Sequence, residues 1–510
     1  MRRIKKFLLN TLILGAASVA MRAVSLVFNA YIANRIGAEG MGLFSLISSV
    51  YVFGVTLASA GIQLSVNRLV SEELASGNPR GAKRCLKTAA LYAAITGTAA
   101  QITLFLSSGY IGRELLCDER TVLSLRALSV SLPFIALSNV FSGYFYAVRR
   151  VVKSAAANVT EQLVKIAITV ALLTPFLPRG MEYACLAVVI GMSASEGASL
   201  FFLLVLYLSD GRKHLNGSGT EPEKPGKRLL SISVPIALSS LLRSALVTTE
   251  HVLIPRGLKR HGLDGAAALS AYGVIQGMVF PVIFFPSALT GAVAGLMVAE
   301  MSSEAAENGG YGGREIRYMV NRAYQMTLLY AVAAAGAFVA FADPLGTLIY
   351  NNAETARYMR IFAAAVPVMY LDTVTDGMLK GLNQQLPSMW YNIIDAAVSV
   401  LLVFLLVPRL GIAGYVVTVF ATEALNAALS VSRLLKVTGA EIPIIPTIAK
   451  PLLAALGAAA TCRLIPIRAE GFISLALGIL FFLAVYAAFA VMLGAVKRED
   501  IAWGKRIFEK

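Results

Sequence analysis

Two arginines stand where a bilayer would make them expensive. Arg22 lies within the apolar stretch LLNTLILGAASVAMRAVSLVFNAYIANR, residues 8–35, and Arg243 within LLSISVPIALSSLLRSALVTTEHVLIPR, residues 229–256. At the middle of a spanning helix an arginine costs about 3 kcal/mol on insertion scales, so it normally faces protein or a water-filled path. The two stretches align without a gap, which places Leu8 on Leu229, Arg22 on Arg243 and Arg35 on Arg256. A guanidinium carries a permanent charge and a planar fork of N–H donors suited to phosphate. A pair of them related by an internal repeat therefore describes an anion site at mid-membrane. The competing reading ties each arginine to a buried acid or to helix carbonyls. Arg256 and its neighbours Lys259, Arg260 and His261 form a further basic group at the end of the second stretch.

Acids also fall inside apolar segments, at Glu161, Glu196, Glu250, Asp372, Asp376, Asp395 and Glu423. Each is costly there unless paired, protonated or wet. Glu161 and Lys165 are one helical turn apart and are expected to pair. Asp372 and Asp376 share a helix face at the same spacing, and two close carboxylates hold a proton or a sodium ion between them more readily than either does alone. Solvation near a helix end is the plainer account of that pair. Glu161, Asp372, Asp376, Asp395 and Glu423 are thus the ion-coupling candidates, against a simple role in helix contacts. His251 beside Glu250 invites an enzymatic reading, a membrane-embedded glycosyl or acyl transferase. It lacks a partner motif, however, and the chain has no paired-Asp loop and no Gly-rich phosphate loop. Cys85, Cys117, Cys185 and Cys462 are scattered without a Cys-x-x-Cys pair, so neither a disulfide framework nor a metal site is expected, and no cofactor.

The elements that must position these residues are membrane helices. Hydrophobic residues make up 57% of the 510, charged residues 15%, and the mean hydropathy is +0.71. Such usage belongs to all-α polytopic membrane proteins. A net charge of +16 comes with no basic run interleaved with aromatics, which argues against nucleic acid. The opening MRRIKK and its apolar run imitate a signal peptide, but the run continues past Arg22 and has an internal counterpart, so a retained first helix is expected.

Apolar stretches of roughly 20 to 27 residues number about fourteen. Six precede the polar, Gly- and Pro-rich segment 209–228, six follow it, and two more lie near 446–464 and 471–496. The expected organisation is an amino-terminal lobe (1–208), a cytoplasmic linker (209–228), a carboxy-terminal lobe (229–437), and two extra helices with a tail (438–510). RALSVSLPFIALSNVFSGYFYAVRR, 126–150, aligns ungapped with RIFAAAVPVMYLDTVTDGMLKGLNQ, 360–384, and a small shift then sets Ser195-Glu196 on Thr422-Glu423. Six helices per copy is an even number, so the repeats are parallel about an axis along the membrane normal, with a cleft at their interface. Placing the amino terminus in the cytoplasm puts roughly 29 of the 45 basic residues in inner loops and roughly 13 in outer ones, with both termini inside.

With these residues in view, the chain resembles a known superfamily. The basic tip, TLILGAASVAMRAVSLVFNAYIANRIGAEGMGLFSL, NRLVSEELASGN, the helix ends GYFYA and GMLKGLN, and the duplicated six-helix halves with two extra helices are similar to the multidrug/oligosaccharidyl-lipid/polysaccharide (MOP) exporters. Within that group the chain looks most like the stage V sporulation protein B (SpoVB) branch, relatives of the MurJ-type lipid II flippases. The resemblance implies MATE-like lobes rocking in alternating access in the bacterial cytoplasmic membrane. It implies transport without enzymatic turnover: a flippase moving an undecaprenyl-pyrophosphate-linked oligosaccharide, such as lipid II or a related cell-wall or spore-envelope unit, outward. Arg22 matches the branch's cavity arginine. Where the MurJ pattern has a further arginine this chain has Phe28, and where the sporulation branch has a basic residue it has Asn29. The substrate-binding candidates are then Arg22, Arg243, Arg256 and Asn29, with the lipid bilayer, a proton or sodium ion and other cell-wall synthesis proteins as partners. A cation-coupled multidrug exporter and a non-transporting scaffold of envelope assembly are the alternatives.

Overall fold

Inside hydrocarbon every backbone N–H and C=O must find a partner within its own segment, and helices satisfy that demand. The computed structural model describes residues 2–215, 224–308, 310–464 and 471–495, and all regular structure among them is helical. The centre of the expected linker, 216–223, and the tail from 496 lie outside the described residues. Hydroxyl side chains sit in these apolar helices without cost to the ladder because many bond back one turn. Thr56 donates to the Val52 carbonyl, Ser233 to Leu229, Thr418 to Gly414 and Thr422 to Thr418, at 2.8–3.0 Å. Large apolar side chains such as Leu106, Phe201, Leu238, Leu456 and Ile473 are exposed, as a lipid-facing surface requires.

Among the described residues, eleven helices are long and apolar enough to cross a membrane, or twelve if the bent pair Thr121–Ser129 and Leu132–Ala147 is one span. Two local features separate this from the fourteen hydropathic stretches. The first two stretches run together as Arg2–Ser59, with Gly37 at φ 71° breaking the helical geometry inside it. The stretch near 356–381 divides into Ala353–Ala363 and Val366–Gly381. Pro133 and Pro367 open the second pieces of their respective pairs. Proline lacks the N–H for the preceding turn and disfavours a helical residue before it.

The chain forms two compact units. One comprises Ile36–Arg256 and Asp264–Ser270; the other comprises the described residues of Met1–Arg35, Gly257–Leu263 and Ala271–Lys510. The chain thus leaves one unit for the other after Arg35 and again after Arg256, which are equivalent positions of the repeat. In the first unit, Leu132–Ala147 packs on Ile62–Ala75, Pro79–Tyr110 and Met181–His214, and Val151–Phe176 packs on Met181–His214. In the second, Val366–Gly381 packs on Ser287–Asn308, Arg314–Ala340 and Ile412–Thr438, and Gln385–Leu410 packs on Ile412–Thr438. The two patterns are the same. The extra helices Lys450–Leu464 and Phe472–Met492 pack on each other and on Arg314–Ala340.

The expected register of the repeat recurs at several equivalent positions. Arg149 and Asn383, equivalent in it, both have φ 56°. Ser154 bonds Ser142 at 3.2 Å, and in the counterpart Ser388 donates to Asp376 at 2.6 Å. Arg126 donates to Ser108, and its counterpart Arg360 pairs with Asp343. Gly143 and Gly377 each bring their helix against another backbone: a methyl group there would lie 2.7 Å from the carbonyl oxygen of Gln63 or Ala294. Overpacking of this kind costs about 1–3 kcal/mol. We therefore expect Gly143→Ala and Gly377→Ala each to lower the unfolding midpoint in detergent. Gly109→Ala, where nothing lies within 4 Å, should stay within about 0.5 kcal/mol of wild type. Equal effects at all three positions would contradict the packing described.

Candidate functional site

Arg22 meets a broken helix. Phe280–Phe284 ends and Ser287–Asn308 begins around Phe285 and Pro286, just after a π-helical turn at Val274–Val279. Pro286 offers no N–H to the carbonyl four residues back, so the ladder is interrupted. The exposed carbonyls are then answered by side chains. Tyr370 donates to Ile283 O at 2.6 Å, Tyr330 to Pro286 O at 2.8 Å, and Ser287 Oγ to Phe284 O at 2.7 Å. Arg22 Nη1 donates to Phe284 O at 3.1 Å and to Ser287 Oγ at 2.9 Å. The rings of Tyr330 and Tyr370 stack with centroids 6.1 Å apart. Arg22 remains exposed, and its Nε and Nη2 make no hydrogen bond among the described residues. The carbonyl reading of Arg22 therefore holds for one nitrogen and leaves the rest of the fork open.

Arg243 differs. It is exposed and makes no hydrogen bond or ion pair among the described residues. Its neighbour Ser244 receives Thr56 Oγ1 at 3.4 Å, one turn before the chain turns at Ala60 and Gly61. Gly61, at φ 77°, lies so close to the Ser233 backbone that a methyl group would sit 2.7 Å from its carbonyl oxygen. Each first span thus passes a break in a neighbouring helix, but only Arg22 caps one. Arg256 donates through Nη2 to the Glu114 carbonyl, and its buried Nε has no partner. It closes the end of the Pro79–Tyr110 helix and its π-helical extension Ile111–Leu115. Asn29 Oδ1 accepts from Tyr350 at 3.1 Å, and Asn34 donates to Ile349 O at 2.7 Å, so both anchor the first helix.

The acids separate into two groups. Glu161, Lys165 and Glu196 lie close enough to act on one another's charge, together with the buried Tyr51. No hydrogen bond or ion pair joins Glu161 to Lys165, so the spacing brings them near without direct pairing. In the other unit, Asp376 accepts from Ser388 and lies 3.8 Å from Lys380. Asp372 Oδ2 accepts from Asn426 Nδ2 at 3.0 Å, while Asp372 Oδ1 is buried without a partner. Asp395 acts on Asp372 through space, and both Asp395 and Glu423 have partners of their own. Asp372, Asp376 and Asp395 are thus gathered in one neighbourhood.

Several polar groups went unread in the sequence. Arg228 ties Glu72 at 2.9 Å and the buried Glu73; Arg150 and Lys153 both hold the buried Asp210; Arg120 bridges Asp118 at 2.7 Å and Glu39 at 2.8 Å. The bonds from Asp118 and then Glu39 hold the Arg120 guanidinium above its usual range. All three groups join helix ends far apart in sequence, where no local spacing signals them. Asn426 and Ser430, four residues apart on one helix and both against Asp372, are isolated neutral residues with no charge to mark them in the sequence.

A profile described as "Polysaccharide biosynthesis protein" matches residues 7–261. The chain is 29% identical over 444 residues to "Stage V sporulation protein B" of Bacillus subtilis (strain 168), covering 85% of each. It is 22% identical to "Lipid II flippase MurJ" of the same organism over 415 residues, 74% of this chain and 73% of that one. Among solved structures, "Lipid II flippase MurJ, inward closed conformation" superposes with a TM-score of 0.72 at 13% identity, covering 94% of this chain and 98% of that one. A "multidrug resistance MATE family transporter of the MOP superfamily" in an inward-facing conformation superposes at 0.62 and 14% identity, covering 83% and 98%. With many spanning helices, a duplicated six-helix plan and the fold of these transporters, the chain is a multi-pass membrane protein that belongs to the polysaccharide biosynthesis protein family.

Proposed function

We propose that this protein is a flippase that carries an undecaprenyl-pyrophosphate-linked oligosaccharide from the cytoplasmic to the outer leaflet by alternating access of two lobes. Lipid II or a related cell-wall or spore-envelope unit is the substrate class, and the bacterial cytoplasmic membrane is the location. One observation carries the reading: the first span of each repeat presents an exposed arginine with guanidinium nitrogens left unbonded among the described residues, Nε and Nη2 at Arg22 and all three at Arg243. A pyrophosphate cannot enter hydrocarbon uncompensated. A guanidinium with open donors would stabilise it while the polyprenyl tail stays in the bilayer.

In liposomes bearing a fluorescent undecaprenyl-pyrophosphate sugar, wild type should expose the label on the opposite face under a suitable ion gradient or potential. A hydrogen bond to a charged group is worth about 1.5–3 kcal/mol, so Arg243→Ala should slow translocation by roughly ten- to a hundredfold. Arg22→Ala should do the same and also lower stability, because it uncaps the broken helix. A wild type that moves nothing, or both variants moving label as fast as wild type, would sink the proposal.

The orientation is part of the same reading, with both termini cytoplasmic, and Cys117 tests it. Of the four free cysteines it is exposed, Cys85 and Cys185 are buried, and Cys462 is intermediate. In a Cys462→Ser background, a membrane-impermeant maleimide should label intact cells at Cys117. Labelling only after permeabilisation would invert the topology.

A further inference from the structure

In the second unit, Arg314–Ala340 and Lys450–Leu464 pack on each other and bring their last turns to one cavity of about 680 Å³. The amino-terminal turn of Ala342–Tyr350 lines the same cavity. Its walls are apolar at Val339, Phe341 and Ala459, and its charged groups are Asp343, Arg360 and Arg463. Arg360 pairs with Asp343, so those two charges cancel. Arg463 is exposed and makes no hydrogen bond or ion pair among the described residues. The cavity thus holds one uncompensated positive charge with the whole donor fork open. A cation in the last turn of a helix is favourable without any ligand. What points to an anion is the open space before it, together with the start of Ala342–Tyr350, the helix end that attracts negative charge. The repeat isolates the feature. Arg126, the counterpart of Arg360, is taken up by Ser108 Oγ at 3.1 Å and lies over the Phe105 ring, and the first half has no counterpart of Lys450–Leu464 to add a second arginine. The rim leads to lipid: Val339 and Leu464, at the ends of two helices long and apolar enough to span, are 47% and 82% exposed.

We propose that this cavity binds the phosphodiester headgroup of an anionic bilayer lipid, with Arg463 as its main ligand and Arg360 as the second. A phosphodiester carries a single negative charge, which matches the one unpaired charge of the cavity, and its two free oxygens fit a guanidinium fork. Basic pockets between spanning helices hold lipid headgroups in this way. The apolar walls and the exposed Val339 and Leu464 let acyl chains stay in the bilayer while the headgroup turns in, so the occupant is a lipid and not a soluble phosphate. Bound lipid would tie Lys450–Leu464, through Arg463, to Ala353–Ala363, through Arg360.

Cys462 lines the same cavity and reports on it. Purified full-length protein in detergent micelles doped with phosphatidylglycerol, or with phosphatidylcholine at the same fraction, is treated with an uncharged maleimide, and modification of Cys462 and Cys117 is followed separately by peptide mass spectrometry. Phosphatidylglycerol should slow modification of Cys462 and leave Cys117, exposed in the first unit, unchanged. Phosphatidylcholine should protect far less, because its own cation cancels the phosphate charge. Arg463→Gln should raise the phosphatidylglycerol fraction needed for half-maximal protection by about tenfold, the scale of one charge-assisted hydrogen bond. Because Arg463 bonds nothing among the described residues, the variant's unfolding midpoint in phosphatidylcholine micelles should equal that of wild type, which separates lost binding from lost folding. Glycerophosphoglycerol, the same diester without acyl chains, should not protect. Equal modification of Cys462 in the two micelles, equal slowing of both cysteines, or undiminished protection in Arg463→Gln overturns the site. Protection by glycerophosphoglycerol as strong as by the lipid overturns the lipid occupant and gives the cavity to a soluble phosphodiester.

Discussion

The structure depends on one constraint: in hydrocarbon a backbone carbonyl released from its helix must be bonded by something else. The break at Phe285–Pro286 releases carbonyls, and four side chains from four helical segments converge to take them. Arg22 is one of the four. Its charge, costly in an unbroken apolar helix, is stabilised by the negative end of Phe280–Phe284, and the loose helix end is stabilised by a donor that cannot lose its proton. Two features that would each be unfavourable alone are thereby compatible together. The same bond that secures the fold also places a cationic group with spare donors at a point of irregular backbone.

The two halves keep one scaffold and vary its chemistry. Gly143 and Gly377 make the same close approach, Arg149 and Asn383 the same left-handed turn, and the Ser142–Ser154 bond becomes Asp376–Ser388. Substituting aspartate for serine twice on one helix face, at Asp372 and Asp376 against Ser138 and Ser142, concentrates negative charge in the carboxy-terminal half. The amino-terminal half keeps its acids, Glu161 and Glu196, on the following two helices with Lys165 between them. A shared fold thus carries a cluster of two acids around one lysine in one half and an aspartate-rich helix face in the other.

Much of this was legible in the sequence because repeats preserve spacing. The register of 126–150 on 360–384 was read from residue types alone, and it holds down to backbone dihedrals. The spans were less legible: hydropathy averages over a window and does not register a kink such as Gly37 or a division such as that before Val366. Pro286 was visible, but which side chains would bond the carbonyls it frees is a tertiary fact involving Tyr330 and Tyr370, far along the chain. Helical spacing put Glu161 near Lys165 yet could not decide contact, since rotamers and the third charge at Glu196 intervene. Asn426 and Ser430 passed unread because isolated neutral polar residues are common in apolar helices, and only their contact with Asp372 sets them apart.

The asymmetry between the arginines bears on how such a carrier would be driven. An inside-negative potential favours outward movement of an anion by about 2.3 kcal/mol per charge per 100 mV if the charge crosses the whole field. On the proposed reading, an anion neutralised by cationic side chains would leave the loaded carrier little net charge to move, and the potential would do little work on it. The emptied carrier would keep its positive charge, and an inside-negative potential would then draw it back toward the cytoplasm. On this argument the potential acts mainly on the return step. Arg243 has no bonded partner among the described residues and would leave its charge free for such a step, whereas the charge of Arg22, bonded to Phe284 and Ser287, is tied to the geometry of the broken helix.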